Sequence, residues 1–468
     1  MLFNSVQFGV FFAVVLFLMR LLGPRARRGW LLGSSLVFYG LWHPAYLLLL
    51  GADLAVNWWI LGKLATSDRP RRWLAAAVVW TLGILSTFKY ADFFLASVAP
   101  LTEGLWGFSP PLIEFVLPLG ISFYSFQLLG LTIDVYRGTI AVPASFRRYA
   151  LFIVFFPQLI AGPILRGAEL LPQLETGGFN SRDRDRRGLW LLSSGLLKKV
   201  VLGDFFLAPF VNEVFGNRGF DPASFQLIAA YAFALQIYFD FSGYTDMARG
   251  MALLLGYELP LNFKEPYLSR DPSEFWNRWH ITLSHWLRDY LYVPLGGNRH
   301  GKVRTQLNLF LTMLLGGLWH GAGWTYLAWG GGHGLLLVGH RLVTRVRRDP
   351  ERPFALSDVW RVFAMFSAAA LLFLVFRAPN LTIAWAMLKA MFGAWRGQPW
   401  PVLATLIVAV AFASHIVERW LRPRMPAVRA RLGNGPFAGV VEGTMFGVAV
   451  GLAVAASGAG SAFIYFQF

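Results

Sequence analysis

A histidine deep in an apolar run is the first candidate for chemistry in these 468 residues. Gly316-Gly-Leu-Trp-His320-Gly-Ala-Gly-Trp324 places His320 about ten residues or more inside a hydrophobic stretch, among glycines and tryptophans. Little water reaches such a position. That favours the neutral imidazole, the form a general base needs. The glycines allow a ligand, or another backbone, to approach closely. A histidine hydrogen-bonded within a packed helix pair would have the same local sequence, so both readings stand at this point.

Two other stretches carry polar groups in apolar surroundings. Asp240-Phe-Ser-Gly-Tyr244-Thr-Asp246 lies in the middle of the apolar run 223–255. Its acids and hydroxyls can bind a substrate, or its carboxylates can cap the second half of a broken helix. Phe275-Trp-Asn-Arg-Trp-His280-Ile-Thr-Leu-Ser-His-Trp-Leu-Arg-Asp-Tyr-Leu-Tyr292 spaces Trp276, Trp279, Leu283, Trp286, Leu287 and Tyr290 on one helical face. Asn277, Arg278, His285, Arg288 and Asp289 occupy the other. The pattern predicts an interfacial amphipathic helix near 273–292 on the cytoplasmic side. His280 lies beside its aromatic stripe, from where it points into a site or packs among headgroup-facing rings. His333, in Trp329-Gly-Gly-Gly-His333-Gly, partners His320 or fills a small-residue packing site, and the second reading is preferred. His43, His300, His340 and His415 fall at breaks or helix ends and are given no role.

Several chemistries lack their residues. There is no Walker A loop, no dinucleotide-binding glycine pattern, no His-Glu-x-x-His and no Gly-x-Ser-x-Gly. The chain has no Cys, which excludes disulfides, thiolate metal sites and a Cys nucleophile. No metal site is expected. Hydrophobic residues make up 56% of the chain and charged ones only 14%, with mean hydropathy +0.51. A soluble enzyme would carry about 25% charged residues, so that class is excluded. In so apolar a chain the net charge of +17 implies basic cytoplasmic loops rather than nucleic-acid binding.

The elements that must position these residues are therefore membrane helices. Apolar runs at 3–19, 30–62, 73–97, 111–130, 149–165, 189–210, 223–255, 305–340, 360–376, 400–418 and 436–457 are candidate spans. Arg20, Arg25, Arg27 and Arg28 follow the first run rather than precede it, which argues against a cleaved signal peptide. Trp42-His43-Pro44 splits 30–62 into two helices. Segments 20–29, 63–72, 131–148, 166–187, 256–304, 341–361 and 419–431 hold 34 Lys/Arg, whereas 98–110, 211–222 and 377–399 hold 4. The first group is expected in the cytoplasm, and both termini outside. Segment 149–165 breaks this alternation. It is basic on both flanks and contains Pro157, Gly162 and Pro163, so a re-entrant piece is expected, lodged in protein or beside a watery cavity. Segment 305–340 reads as a hairpin that leaves and returns to the basic side. No internal repeat is visible, which argues against a transporter.

Taken together, the stretch 275–292 and Gly317-Leu-Trp-His320-Gly-Ala resemble the membrane-bound O-acyltransferase superfamily. Leu117-Pro-Leu-Gly-Ile-Ser-Phe-Tyr-Ser-Phe126, Phe156-Pro-Gln-Leu-Ile-Ala-Gly-Pro-Ile164, Asp240 to Asp246 and the terminal Phe463-Ile-Tyr-Phe-Gln-Phe468 are similar to its bacterial alginate O-acetyltransferase branch. Relatives that acetylate peptidoglycan or cellulose, or D-alanylate teichoic acid, share most of these motifs. The resemblance implies one all-α polytopic domain over 1–468. It would be a ring of about 11–12 transmembrane helices with re-entrant segments around a central funnel and tunnel. It also implies acetyl-CoA as donor without a metal, and residence in the bacterial inner membrane. The acceptor would be an extracytoplasmic glycan, reached through a periplasmic or membrane-anchored acetyltransferase of the SGNH-hydrolase type. His320 matches the family's catalytic histidine. His280 is the second catalytic candidate, with Trp319, Trp279, Asn277, Arg278, Arg288, Asp240 and Tyr244 as substrate contacts. Arg278 and Arg288, or Lys264 and Arg270, are the candidate partners of the CoA phosphates.

Overall fold

A computed structural model describes residues 3–176, 181–219, 221–344, 354–393, 395, 397–433 and 435–456. The terminal motif Phe463–Phe468 lies outside them. Among the described residues the regular structure is entirely helical. The chain forms two compact units, Met1–Leu189 with Ala248–Pro260, and Trp190–Met247 with Leu261–Phe468. Among the described residues, four helices are long and apolar enough to cross a membrane: Ala45–Thr66, Leu356–Arg377, Val402–Leu421 and Phe437–Ala456. A fifth span results if the bent pair Pro70–Lys89 and Ala91–Trp106 is one crossing.

In the first unit, the break expected near 43–44 separates helix Pro24–Gly40 from Ala45–Thr66. Two expected runs are corrected. The run 73–97 is not one straight helix, because the chain turns by 64° at Tyr90. The run 111–130 is helical only from Ile121. Pro110, Pro111 and Pro118 lack the N–H groups a helix would use. Gly120 supplies the left-handed turn (φ 69°) from which the helix starts.

Segment 149–165 forms the heart of this unit. Helix Phe146–Val154 has nine residues, about 14 Å, less than half of what a bilayer core needs. One turn, Phe156–Leu159, follows a break at Phe155. Every residue from 149 to 165 is buried. The backbone groups freed at the break are satisfied from within the protein. Gln158 donates to the Phe152 carbonyl (3.1 Å) and accepts from Gln127 (2.9 Å), while Ser35 accepts from the Phe156 N–H (3.2 Å). Such internal partners are what broken backbone at membrane depth requires.

In the second unit, the Asp240–Asp246 motif does not break its helix. Ala223–Leu254 runs unbroken for 32 residues. Gly243 lies against Gly195, and a Cβ on either would fall within 2.5–2.7 Å of the other's carbonyl oxygen. The two acids flank this crossing. Lys198 lies 2.9 Å from Asp246 and 2.7 Å from Glu418. Lys199 pairs with Asp240, and with Asp204 at 2.8 Å. Lys199 and Asp204 belong to a π-helical stretch, Leu197–Leu207, whose i→i+5 repeat brings residues five apart together. Arg422 extends the network by pairing with Glu418 and Glu265.

Candidate active site

All the candidate histidines belong to the second unit. His320 is the last residue of helix Gly301–His320, which turns through Gly321–Gly323 into helix Trp324–Val343. The hairpin is close because it is built on glycine. A Cβ on Gly330 would lie 2.9 Å from the Gly317 Cα. Gly317 therefore serves approach by another backbone, whereas Gly316, Gly321 and Gly323 face the side chains of Leu287 and Tyr326. Trp329 from the returning helix meets the His320 ring edge-on at 5.0 Å, and Phe376 from helix Val359–Arg377 packs at 5.7 Å. Only 4% of His320 is exposed.

His280 reaches the same place by a different route. The expected continuous helix over 273–292 is corrected to Pro272–Trp276, a turn, Ile281–Leu287 and a π-helical turn Arg288–Tyr292. The break is at His280 itself, which adopts φ 42°. A non-glycine residue there costs roughly 1–3 kcal/mol and persists only where its surroundings hold it. His280 is fully buried, with Phe241 edge-on at 4.8 Å, Trp319 at 6.1 Å and the His320 ring at 6.3 Å. Burial pushes its pKa down to about 3, so the ring is neutral. The break turns His280 inward, while most of the stripe the sequence assigned to headgroups is buried in protein: Trp276, Trp279, Trp286 and Tyr290 are each no more than 8% exposed.

The remaining candidates separate. Trp319 lies beside both histidines. Trp279 is a wedge in the aromatic core, stacked on Phe275 at 5.7 Å and packed on Phe373 at 5.0 Å. Tyr244 is buried on the long helix. Asp240 is engaged by Lys199, although its neighbour Phe241 packs on His280. Arg278 is buried 2.9 Å from Glu274 and donates to the Lys264 carbonyl, and Arg270 is likewise held by Glu274. Their burial and pairing leave them poorly placed to meet a phosphate in water. Arg288, paired with Asp289 at 2.6 Å, keeps 55% of its side chain exposed, and Asn277 is also exposed. His333 stacks on Phe275 (5.5 Å, 9°) between Trp276 and Trp329, a packing position. No group of three His, Asp or Glu side chains suited to a metal occurs among the described residues.

Residues 139–383 match the model of the MBOAT, membrane-bound O-acyltransferase family. The chain belongs to this family. It is therefore a membrane O-acyltransferase, and the matched region holds both buried histidines and the whole hairpin. The chain is 41% identical to the probable alginate O-acetylase AlgI of Pseudomonas aeruginosa over 409 residues, 85% of this chain and 76% of the relative. It is 36% identical to the peptidoglycan O-acetyltransferase of Helicobacter pylori over 398 residues, 78% and 73% of the two chains. Similarity to the teichoic acid D-alanyltransferase of Bacillus subtilis is lower, 29% over 280 residues, 54% and 68% of the two.

Sequence reasoning missed two parts of this site. The cations that neutralise Asp240 and Asp246 were visible as Lys198-Lys199 inside an apolar run, where an ion needs a counter-ion. Asn262, whose Oδ1 lies 3.2 Å from the His280 Nδ1, carried no signal in its loop.

Proposed function

We propose that this protein takes an acetyl group from cytoplasmic acetyl-CoA and delivers it across the bacterial inner membrane for O-acetylation of an extracytoplasmic polysaccharide of the alginate type. The observation that carries the reading is the pair of buried rings, His280 and His320, 6.3 Å apart at the turn of a glycine-packed hairpin in an O-acyltransferase chain. The identity to alginate O-acetylases over most of the chain supports the choice of acceptor.

In this mechanism His320 takes the proton of the acceptor hydroxyl as its oxygen attacks the thioester carbonyl. A C–O bond forms, the C–S bond breaks, and the imidazolium returns its proton to the departing thiolate. Such base catalysis contributes roughly 10²–10⁴-fold. Holding donor and acceptor together supplies a further factor through proximity. Burial of both histidines keeps competing water from the thioester. Arg288, exposed on the stretch assigned to the cytoplasmic face, is the cation best placed to attract the CoA phosphates.

A separate extracytoplasmic acetyltransferase of the SGNH-hydrolase type receives the group and passes it to the polymer. The outward segments 98–110, 211–222 and 377–399 are short and hold only 4 Lys/Arg, so an anionic glycan finds little attraction there. The test is radiolabelled acetyl-CoA with the purified protein in nanodiscs, offered alginate, peptidoglycan fragments, or either glycan with the partner. Label should reach alginate only with the partner, and His320→Ala should fold but transfer nothing. Retention of most transfer by His320→Ala would remove the mechanism, and efficient polymer acetylation by this chain alone would remove the relay.

A further inference from the structure

The His280 ring has one side held and the other open. Its Nδ1 lies 3.2 Å from the Asn262 Oδ1. The same oxygen meets the Thr282 backbone nitrogen at 3.2 Å and the Thr282 hydroxyl at 2.9 Å. A backbone N–H can only donate, so the atom it meets must be the amide oxygen and not the NH₂. An oxygen acceptor requires a proton on the imidazole Nδ1. The neutral ring then carries its lone pair on Nε2. That nitrogen is buried and has no hydrogen-bond partner within the protein.

The loop that carries Asn262 is itself fixed. Its carbonyl accepts from the Ile281 N–H (2.9 Å), and the Arg278 carbonyl accepts from the Lys264 N–H (2.9 Å). Glu265, three residues on, is tied to Arg422. These bonds hold the left-handed backbone at His280. Asn262 is 1% exposed, and its Nδ2 has no partner, so only its oxygen is used.

We infer that Asn262 is a positioning residue for acyl transfer, locking His280 in the Nδ1–H tautomer so that Nε2 is the bare nitrogen offered to the reaction beside His320. The inference rests on the reading that His280 takes part in the chemistry. A lone pair there accepts a hydrogen bond from the acceptor hydroxyl or from His320. The opposite tautomer would present an N–H and repel the same donor.

The experiment compares Asn262→Leu, which keeps the bulk but removes the oxygen, with Asn262→Asp, which keeps the oxygen. The first readout is ¹⁵N spectroscopy of histidine-labelled protein in nanodiscs, with His280 identified by its loss in His280→Gln. The wild type should show Nδ1 protonated and Nε2 bare. Asn262→Leu should lose this signature and Asn262→Asp should keep it. The second readout is turnover of radiolabelled acetyl-CoA. Asn262→Leu should lower kcat by about 10²–10⁴-fold with little change in KM, whereas Asn262→Asp should stay within about tenfold. A wild-type His280 protonated on Nε2 would overturn the inference, as would an Asn262→Leu protein that keeps both signature and turnover. Full turnover by His280→Gln would instead remove the catalytic reading of His280, while the tautomer measurement would still decide what Asn262 does.

Discussion

The hairpin that carries His320 gives a sharp test, because two glycines on its returning helix have opposite surroundings. Substituting Gly330→Ala adds a methyl group that would lie 2.9 Å from the Gly317 Cα and 3.0 Å from the Gly317 nitrogen, and closer still to the Met313 carbonyl oxygen. Ordinary contact begins at 3.4 Å, and the Met313 carbonyl oxygen is the nearest obstacle, so the two limbs must part by about 1 Å against backbone atoms that cannot rotate away. Overpacking of this kind costs roughly 1–3 kcal/mol. Alanine's better helix propensity offsets up to about 1 kcal/mol of that. His320 is three residues beyond Gly317 and moves with its limb, while His280 is held from a different loop. A shift approaching 1 Å between catalytic groups costs about 10²-fold, so turnover should fall about ten- to a hundredfold while the melting temperature falls only modestly.

Gly339→Ala is the matched control. It lies on the same helix, and nothing stands within 4 Å of its added methyl group. Activity should be unchanged, and stability unchanged or raised by up to about 1 kcal/mol. Acetyl transfer and thermal unfolding of the two detergent-solubilised variants, measured side by side, decide the matter. Wild-type turnover in Gly330→Ala, or equal damage from Gly339→Ala, would refute the claim that close glycine packing sets the position of His320.

Two further outcomes follow from the other parts of the fold. Lys199→Met leaves Asp204 and Asp240 buried without their cation and should destabilise the protein by about 3–5 kcal/mol, read as a large drop in melting temperature. Unchanged melting would show that the cluster is not a stabilising clamp. Single cysteines at Arg147 and Ala168, both exposed, should be equally protected from an impermeant thiol reagent in intact cells, because the buried segment between them is too short to cross. Labelling of only one would show a true span.

The features legible in advance were those whose causes are local. Pro44 breaks the second apolar run, Pro157 and Pro163 interrupt the buried segment, and the glycines of 316–334 permit a close hairpin. Each acts through its own residue's geometry. The misread elements were those decided at a distance. Nothing within 275–292 announces that the helix stops at His280, because the left-handed backbone is held by Asn262 in a preceding loop. Nothing within 240–246 shows that the acids are taken, because their partners stand more than forty residues earlier, across a helix crossing.

The contrast between Asp240 and His280 shows how polar residues in apolar runs can be sorted. A carboxylate at membrane depth must find a cation or remain at a cost of several kcal/mol. The place to look for its role is therefore the nearest Lys or Arg in another apolar run, and here Lys199 satisfies it. A neutral imidazole needs no counter-ion. It can be fixed through one nitrogen and leave the other unpaired, and that is how His280 sits, held by Asn262 on one side with its second nitrogen bare. In this chain the acids close a helix crossing, and His280 keeps one bare nitrogen. That division follows from which groups can be buried without a charged partner, and it is why the chemistry proposed above is sited at His280 and His320 rather than at the more conspicuous acidic motif.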